Sequence, residues 1–304
     1  MNYSKVGLPI GFKIVLIIIG IVIVLAIINA SSKKVTVDET ITDVNQMTRF
    51  IEHYVSEYKS NIVFYTTMEP STIDFDMIFH DIMASNTYIG CELFAFSYTY
   101  VIEPDGRYKM DLTIRDPAAH RVELTKMRVQ QIAGHLEGLS DYDKIKTVHD
   151  YLILNNEYSS TIGSAFNALY VGKSACNGYA YSFYAIMKEL GIPVTCEYGG
   201  SHAWNKVMLD GEWYNIDVTW DDKGGKNIGY DYFLKCDADF GGHDHAGATA
   251  KESVDGVDMN PSPYCNQIPN YRIILVVFVV LLFAIYLIVM RIMSNKQRAK
   301  IHYE

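Results

Sequence analysis

The chain has no C-x-x-C pair, which leaves zinc-ribbon and thioredoxin-type redox chemistry without support. A phosphate-binding loop is missing too. Gly172-Lys173-Ser174 imitates its end, but the glycine needed five positions before the Gly-Lys pair is replaced by Asn167, inside the apolar stretch FNALYV. Residues 221–227 lack the ligand spacing of an EF-hand loop and read as a turn. There is no internal repeat and no low-complexity segment. Positive charge is scarce outside the chain ends. The net charge is −9; Lys5, Lys13, Arg272 and the net +3 of residues 291–304 supply six positive charges, so residues 31–270 carry −15. Nucleic-acid binding calls for a basic stripe, so no nucleic-acid partner is expected.

Long apolar runs are present at both ends. Residues 273–290, IILVVFVVLLFAIYLIVM, are eighteen consecutive apolar positions, about 27 Å of helix at 1.5 Å per residue. Arg291, Lys296, Arg298 and Lys300 follow, the kind of basic tail retained on the cytoplasmic side. A transmembrane helix over 271–291 and a cytoplasmic tail over 292–304 are expected. Residues 14–28 are also apolar, flanked by Lys5 and Lys13 before and Lys33 and Lys34 after. They read as a cleaved signal peptide or as an uncleaved anchor; the lack of an A-x-A site near Asn29-Ala30 favours the anchor. Either way residues 31–270 lie outside the cytoplasm, at the cell membrane. The five cysteines are an odd number, so at least one is free or pairs with another molecule.

Between the two runs the periodicity divides. Residues 43–58 read as an amphipathic helix and NIVFYTT as a strand. STIDFDMIFHDIMA opens on a Ser/Thr cap signal and continues as a helix. Glu103-Pro104-Asp105-Gly106 is a turn between two strands. Beyond Pro117 two helices follow, the second starting after Ser140, and a third runs from near Cys176 to Leu190, where Gly191-Ile192-Pro193 stops it. VTCEYG, HAWNKVML and EWYNIDVTW are predicted strands. The division is residues 1–30 (anchor or signal), 31–116 (small α+β region), 117–250 (catalytic domain) and 251–270 (linker into the membrane).

The last two strands carry chemistry. Asp210-Gly211 is a favoured two-residue hairpin turn, and that register sets Leu209 opposite Glu212, Trp204 opposite Asp217 and His202 opposite Thr219. Because side chains alternate, all four of His202, Trp204, Asp217 and Thr219 project from one face, with His202 and Asp217 as diagonal neighbours. An imidazole therefore has a carboxylate to orient it. Cys176, at a predicted helix start, supplies a nucleophile whose thiolate the helix end favours. Together they form a Cys-His-Asp site for acyl transfer. The Cys176 backbone N–H is a first oxyanion donor; Asn167, Tyr170 and Asn177 are candidates for the second. His202 follows Cys176 by twenty-six residues, far closer than in papain-type proteases.

CNGYAYSFYAIMKELGIP, GSHAWNKVMLDGEWYNIDVTWDD and YFLKCD resemble the transglutaminase-like superfamily in its bacterial extracytoplasmic branch, over about residues 140–240. In that family the Cys, the His of a HAW motif and the Asp of a D-x-T-W motif form the triad, which implies these roles for Cys176, His202 and Asp217. The resemblance implies an α+β, papain-like core, a nucleophile helix packed on an antiparallel sheet, here between two membrane-spanning helices. Asn177 stands where relatives often carry Gln, and Cys236 where serine is common. The family includes crosslinkers, peptidases, amidases and inactive members. The expected function is a membrane-anchored thiol enzyme acting on protein or peptide amides, including those of the cell envelope; the alternative is a silent binding or scaffold module.

The remaining candidates read more plainly. Trp204 and Trp220, with Asn177 and Tyr170, are expected to line the substrate site. His53, His80, His120, His135 and His149 fall in predicted helices and read as surface or core-edge residues. His243-Asp244-His245 reads as polar loop rather than metal site, Cys196 as a small buried hydrophobe. No metal and no cofactor is expected.

Overall fold

Strand alternation and helix caps account for most of the elements in this computed structural model, which describes residues 34–92, 96–114, 119–243 and 249–269. The chain divides into two units, one running to Arg128 with residues 163–166 added, the other comprising residues 129–162 and 167 onward.

In the first unit, strand β1 (Val35–Ile41) runs parallel to β2 (Asn61–Thr66), and helix α1 (Val44–Ser56) connects them. The order is β1-β2-β4-β3, with β3 (Phe96–Ile102) and β4 (Tyr108–Ile114) joined as an antiparallel hairpin. Asp43 caps α1 by accepting from Gln46 N–H at 2.9 Å. Met47, Phe50, Ile51 and Val55 then fall on one face and are buried with Ile62, Phe64, Met110 and Leu112 of the sheet. Helix α2 (Phe75–Ser85) is capped by Asp74, which accepts from Met77 N–H. The expected Ser/Thr cap at 71–72 lies instead in a 3₁₀ turn, Pro70–Thr72, because Pro70 begins that turn. Strand β1 has no counterpart among the predicted elements; its alternation is broken by Asp38 and Glu39, and its pairing with β2 makes it a strand. A short helix α3 (Thr87–Gly90) follows α2, and α4 (Ala119–His135) contains the boundary between the units.

The second unit holds the catalytic candidates. Ser140 caps α5 (Asp141–Asn155) through Asp143 N–H. Helix α6 (Cys176–Glu189) buries Cys176, Gly178 and every residue from Tyr179 to Met187, the signature of a core helix covered on all sides. It packs on the antiparallel sheet β5 (Val194–Gly199), β6 (His202–Leu209), β7 (Glu212–Ile216), with β6 in the middle. Asn205 ties the layers: its Nδ2 donates to Ala180 O of α6 at 3.2 Å and to Thr195 O of β5 at 3.1 Å. The Asp210-Gly211 turn has φ of 53° and 85°, the doubly left-handed geometry for which Asp-Gly is suited. Residues 249–269 also pack here: Ser262 N–H donates to Asp150 and Cys265 is buried.

Among the described residues no helix is long and apolar enough to cross a membrane. Residues 14–28 and 273–290, where the two spans are expected, lie outside the described residues. The five cysteines are all buried, and none of them forms a disulfide.

Candidate active site

Helix α6 begins at Cys176 itself, and Ala175 at its N-cap offers no side-chain hydrogen bond. The free N–H groups of the first turn are thus not consumed by a cap. Burial pushes the Cys176 thiol up, but the nearby His202 imidazole and the backbone N–H groups of Ala203 and Asn177 outweigh it, and the thiol lies below its ordinary value. As a thiol it points to Asn177 Oδ1 at 3.3 Å.

His202 opens β6, and its Nε2 lies 2.6 Å from Asp217 Oδ2. With Nε2 committed to the carboxylate, Nδ1 is the nitrogen left to serve Cys176. Burial opposes its charge; Asp217 and Cys176 prevail and hold it at about 9. At neutral pH the imidazole is therefore held protonated, beside a thiol whose pKa is lowered.

Asp217 reaches this position differently from the expected register. The pairing Leu209 with Glu212 runs as predicted up to Asn205 with Ile216, but β7 ends there. Asp217 caps the single-turn helix α7 (Val218–Asp221), accepting at Oδ1 from Thr219 N–H and Trp220 N–H at 2.9 and 3.0 Å. Its own N–H donates to Tyr232 O. Opposition of Trp204 to Asp217, and of His202 to Thr219, is thus not formed. The carboxylate still meets His202 because the cap holds it at the strand's end. Burial pushes the Asp217 carboxyl up, but its bonds from His202, His243 and Trp220 N–H bring it below the ordinary range.

His243 is the residue that the sequence reading missed. Its Nε2 lies 2.8 Å from the same Asp217 Oδ2, and its side chain is 1% exposed. Its ring packs on Phe240 at 4.0 Å and Trp220 at 4.1 Å between centroids. It is not a solvated loop residue. Nothing in periodicity marks a histidine in a Gly-rich loop; only the spatial return of that loop does.

A second buried cluster lies behind α7. His149 Nδ1 is 2.8 Å from Asp150 Oδ1 and its Nε2 is 3.2 Å from Asp221 Oδ2. Lys146 Nζ donates to Asp150, to Tyr230 Oη and to Asn260 O. His149 is fully buried rather than at the core edge. Burial works against its charge, yet the two carboxylates raise its pKa.

Of the four expected lining residues, Trp220 and Trp204 stack on His202 at 5.2 and 6.0 Å between centroids. Asn177 contacts the sulfur and donates to Tyr181 Oη at 3.3 Å. Tyr170 lies in the π-type turn Asn167–Val171, ahead of α6. His202, Asp217 and His243 bring three ligand-type atoms within 4.8 Å of one another. Two hydrogen bonds already join them at Oδ2, and a cation would have to displace both.

A nucleophile-bearing helix start, an imidazole on the adjoining sheet and a capping aspartate thus converge, and residues 129–218 match the family described as the transglutaminase-like superfamily. This segment is a transglutaminase-like domain. The transglutaminase-like domain contains Cys176, His202 and Asp217, whereas His243 lies beyond the matched residues. Solved structures similar to this chain include two. One is a TGase, 14% identical over 54% of this chain and 52% of that one, with a TM-score of 0.32. The other is a Cytophaga hutchinsonii protein described as a cysteine protease, 17% identical over 41% of this chain and 62% of that one, with a TM-score of 0.27. No curated protein matches the chain.

Proposed function

We propose that this protein is a membrane-anchored thiol enzyme, its transglutaminase-like domain outside the cytoplasm, transferring acyl groups from protein or peptide amides. The observation that carries the reading is the 2.6 Å contact of His202 Nε2 with Asp217 Oδ2, on an imidazole whose pKa Asp217 and Cys176 raise. The Cys176 thiolate attacks the amide carbonyl carbon, and the Cys176 N–H, at the open helix start, faces the developing oxyanion. Imidazolium His202 gives its proton to the departing ammonia or amine, leaving a thioester and neutral imidazole. His202 then takes a proton from the incoming amine or water, which attacks the thioester. The sulfur then leaves as thiolate beside the imidazolium, restoring the ion pair. Asp217 stays ionised and orients the ring. Trp204, Trp220, Asn177 and Tyr170 line the acyl site in this reading, and cell-envelope proteins or peptides are its substrates.

A second reading, a silent binding or scaffold module, is favoured by the burial of Cys176, which is 5% exposed. Incubation with a glutamine-containing protein mixture and a tagged primary amine, followed by mass spectrometry, separates these readings. Tagged glutamines indicate transamidation and new termini indicate hydrolysis. Neither product, in a chain that is folded, would leave the silent module standing.

A further inference from the structure

We propose that His243 is a positioning residue of this site, acting through Asp217 as a second imidazole on its carboxylate and holding both ring protons. The inference rests on the Cys176-His202-Asp217 reading and extends it. Its ground is geometric. His243 Nε2 faces Asp217 Oδ2 at 2.8 Å and its Nδ1 faces Gly241 O at 3.2 Å. A carbonyl oxygen only accepts, and an ionised carboxylate only accepts. The ring donates in both contacts only with a proton at each nitrogen, and that doubly protonated form is the one proposed.

The surroundings hold it there. Gly242, just before it, has φ of +82°, and a Cβ at that position would come within 2.9 Å of the Trp220 ring. The backbone thus needs glycine to lie this close to Trp220. The ring of His243 is packed among Phe240, Trp220, Trp204 and Tyr232, at centroid separations of 4.0, 4.1, 4.8 and 5.6 Å. Aromatic faces favour a cation over a neutral ring. Asp217, His202 and Tyr232 are the titratable groups facing it among the described residues.

The consequence for chemistry is directional. Asp217 Oδ2 is shared between two N–H donors, and the His243 ring centroid lies 5.5 Å from that of His202. A cation there opposes protonation of His202, and sharing the oxygen weakens its hold on that proton. His202 must release a proton to the leaving group and later recover one. A carboxylate given wholly to His202 would make the imidazolium a poorer acid. His243 tempers that basicity while keeping the buried carboxylate neutralised.

The test is the pH dependence of Cys176 alkylation by iodoacetamide, in the full-length chain, with the peptide resolved by mass spectrometry. In the wild-type protein, thiolate reactivity at pH 6 is expected, with a second inflection near 9 where His202 loses its proton. His243→Phe keeps the packed ring and removes donor and charge; it is expected to move that inflection upward by about one pH unit. His243→Gln keeps a donor without charge and should move it less, in the same direction. An unmoved inflection in both variants, or a downward shift, overturns the inference. Absence of thiolate at pH 6 in the wild type would instead overturn the triad reading beneath it. Should either variant misfold by circular dichroism, nitrogen-15 histidine spectra of the wild type at pH 7 decide: two protonated nitrogens on His243 support the proposal, and a neutral tautomer overturns it.

Discussion

His202 Nε2 and Asp217 Oδ2 are 2.6 Å apart although fifteen residues separate them in the chain and the strand leading to Asp217 ends before reaching it. The two oxygens of Asp217 have separate tasks. Oδ1 caps a one-turn helix through two backbone N–H groups, and Oδ2 meets the imidazoles of His202 and His243. The same side chain therefore builds the loop that places it.

That dual use makes two substitutions at Asp217 behave differently. Asp217→Asn keeps an acceptor for the cap and removes the charge, so the fold should persist while activity falls by about 10²–10⁴-fold. Asp217→Ala also removes the cap and leaves two imidazoles unpartnered, at a cost of about 2–4 kcal/mol in stability. Urea denaturation beside amine-incorporation rates checks both; equal stabilities would contradict the capping role.

Cys176→Ala should abolish product formation while changing stability by no more than about 1–2 kcal/mol. Residual turnover in that variant would remove Cys176 from the mechanism.

The ion pair makes a prediction about stability against pH. The Cys176 thiol is lowered, so its contribution is present above the unfolded thiol value and lost as pH falls through the folded one. The His202 imidazole is raised to about 9, so its contribution is present below 6.5 and lost as pH rises through 9. Where the interval from the folded thiol value up to its unfolded one overlaps that of His202, below 9, the two slopes oppose one another in the wild type. Cys176→Ala removes one of them, so its deficit in denaturation free energy should widen as pH rises across that window. A constant deficit would contradict the pairing.

His149 is flanked by Asp150 and Asp221 with both ring nitrogens engaged. His149→Leu leaves two buried carboxylates with one cation fewer and should destabilise the unit by about 3–5 kcal/mol. Thermal melting measures it; a loss under about 1 kcal/mol would mean water replaces the ring.

Gly242→Ala should cost about 1–3 kcal/mol, through its left-handed backbone and the Trp220 contact. Because Gly242 adjoins His243, the reactivity of Cys176 should change with it. Calorimetry and alkylation rates together are the check.

Much of the second unit is legible because its signals are local. The Ser140 cap, the stop at Gly191-Ile192-Pro193 and the Asp210-Gly211 turn each depend on residues within a few positions, and the elements form where they imply. His202 is on its strand, and Cys176 starts its helix, for the same reason. What escaped is non-local. Strand β1 is made by its partner β2, and the setting of His149 by carboxylates from two helices.

The sequence by itself singled out Cys176, His202 and Asp217 as the proposed reacting side chains, since helix-start and turn signals are short-range, although strand alternation did not place Asp217, whose strand ends at Ile216. Only the tertiary structure decided how the carboxylate is held. It ends β7 at Ile216, turns Asp217 into a helix cap and brings back a loop 26 residues further along to set His243 on the same oxygen. That choice follows from burial: a carboxylate withdrawn from water must find donors for both oxygens, and they come from whichever segments packing brings near.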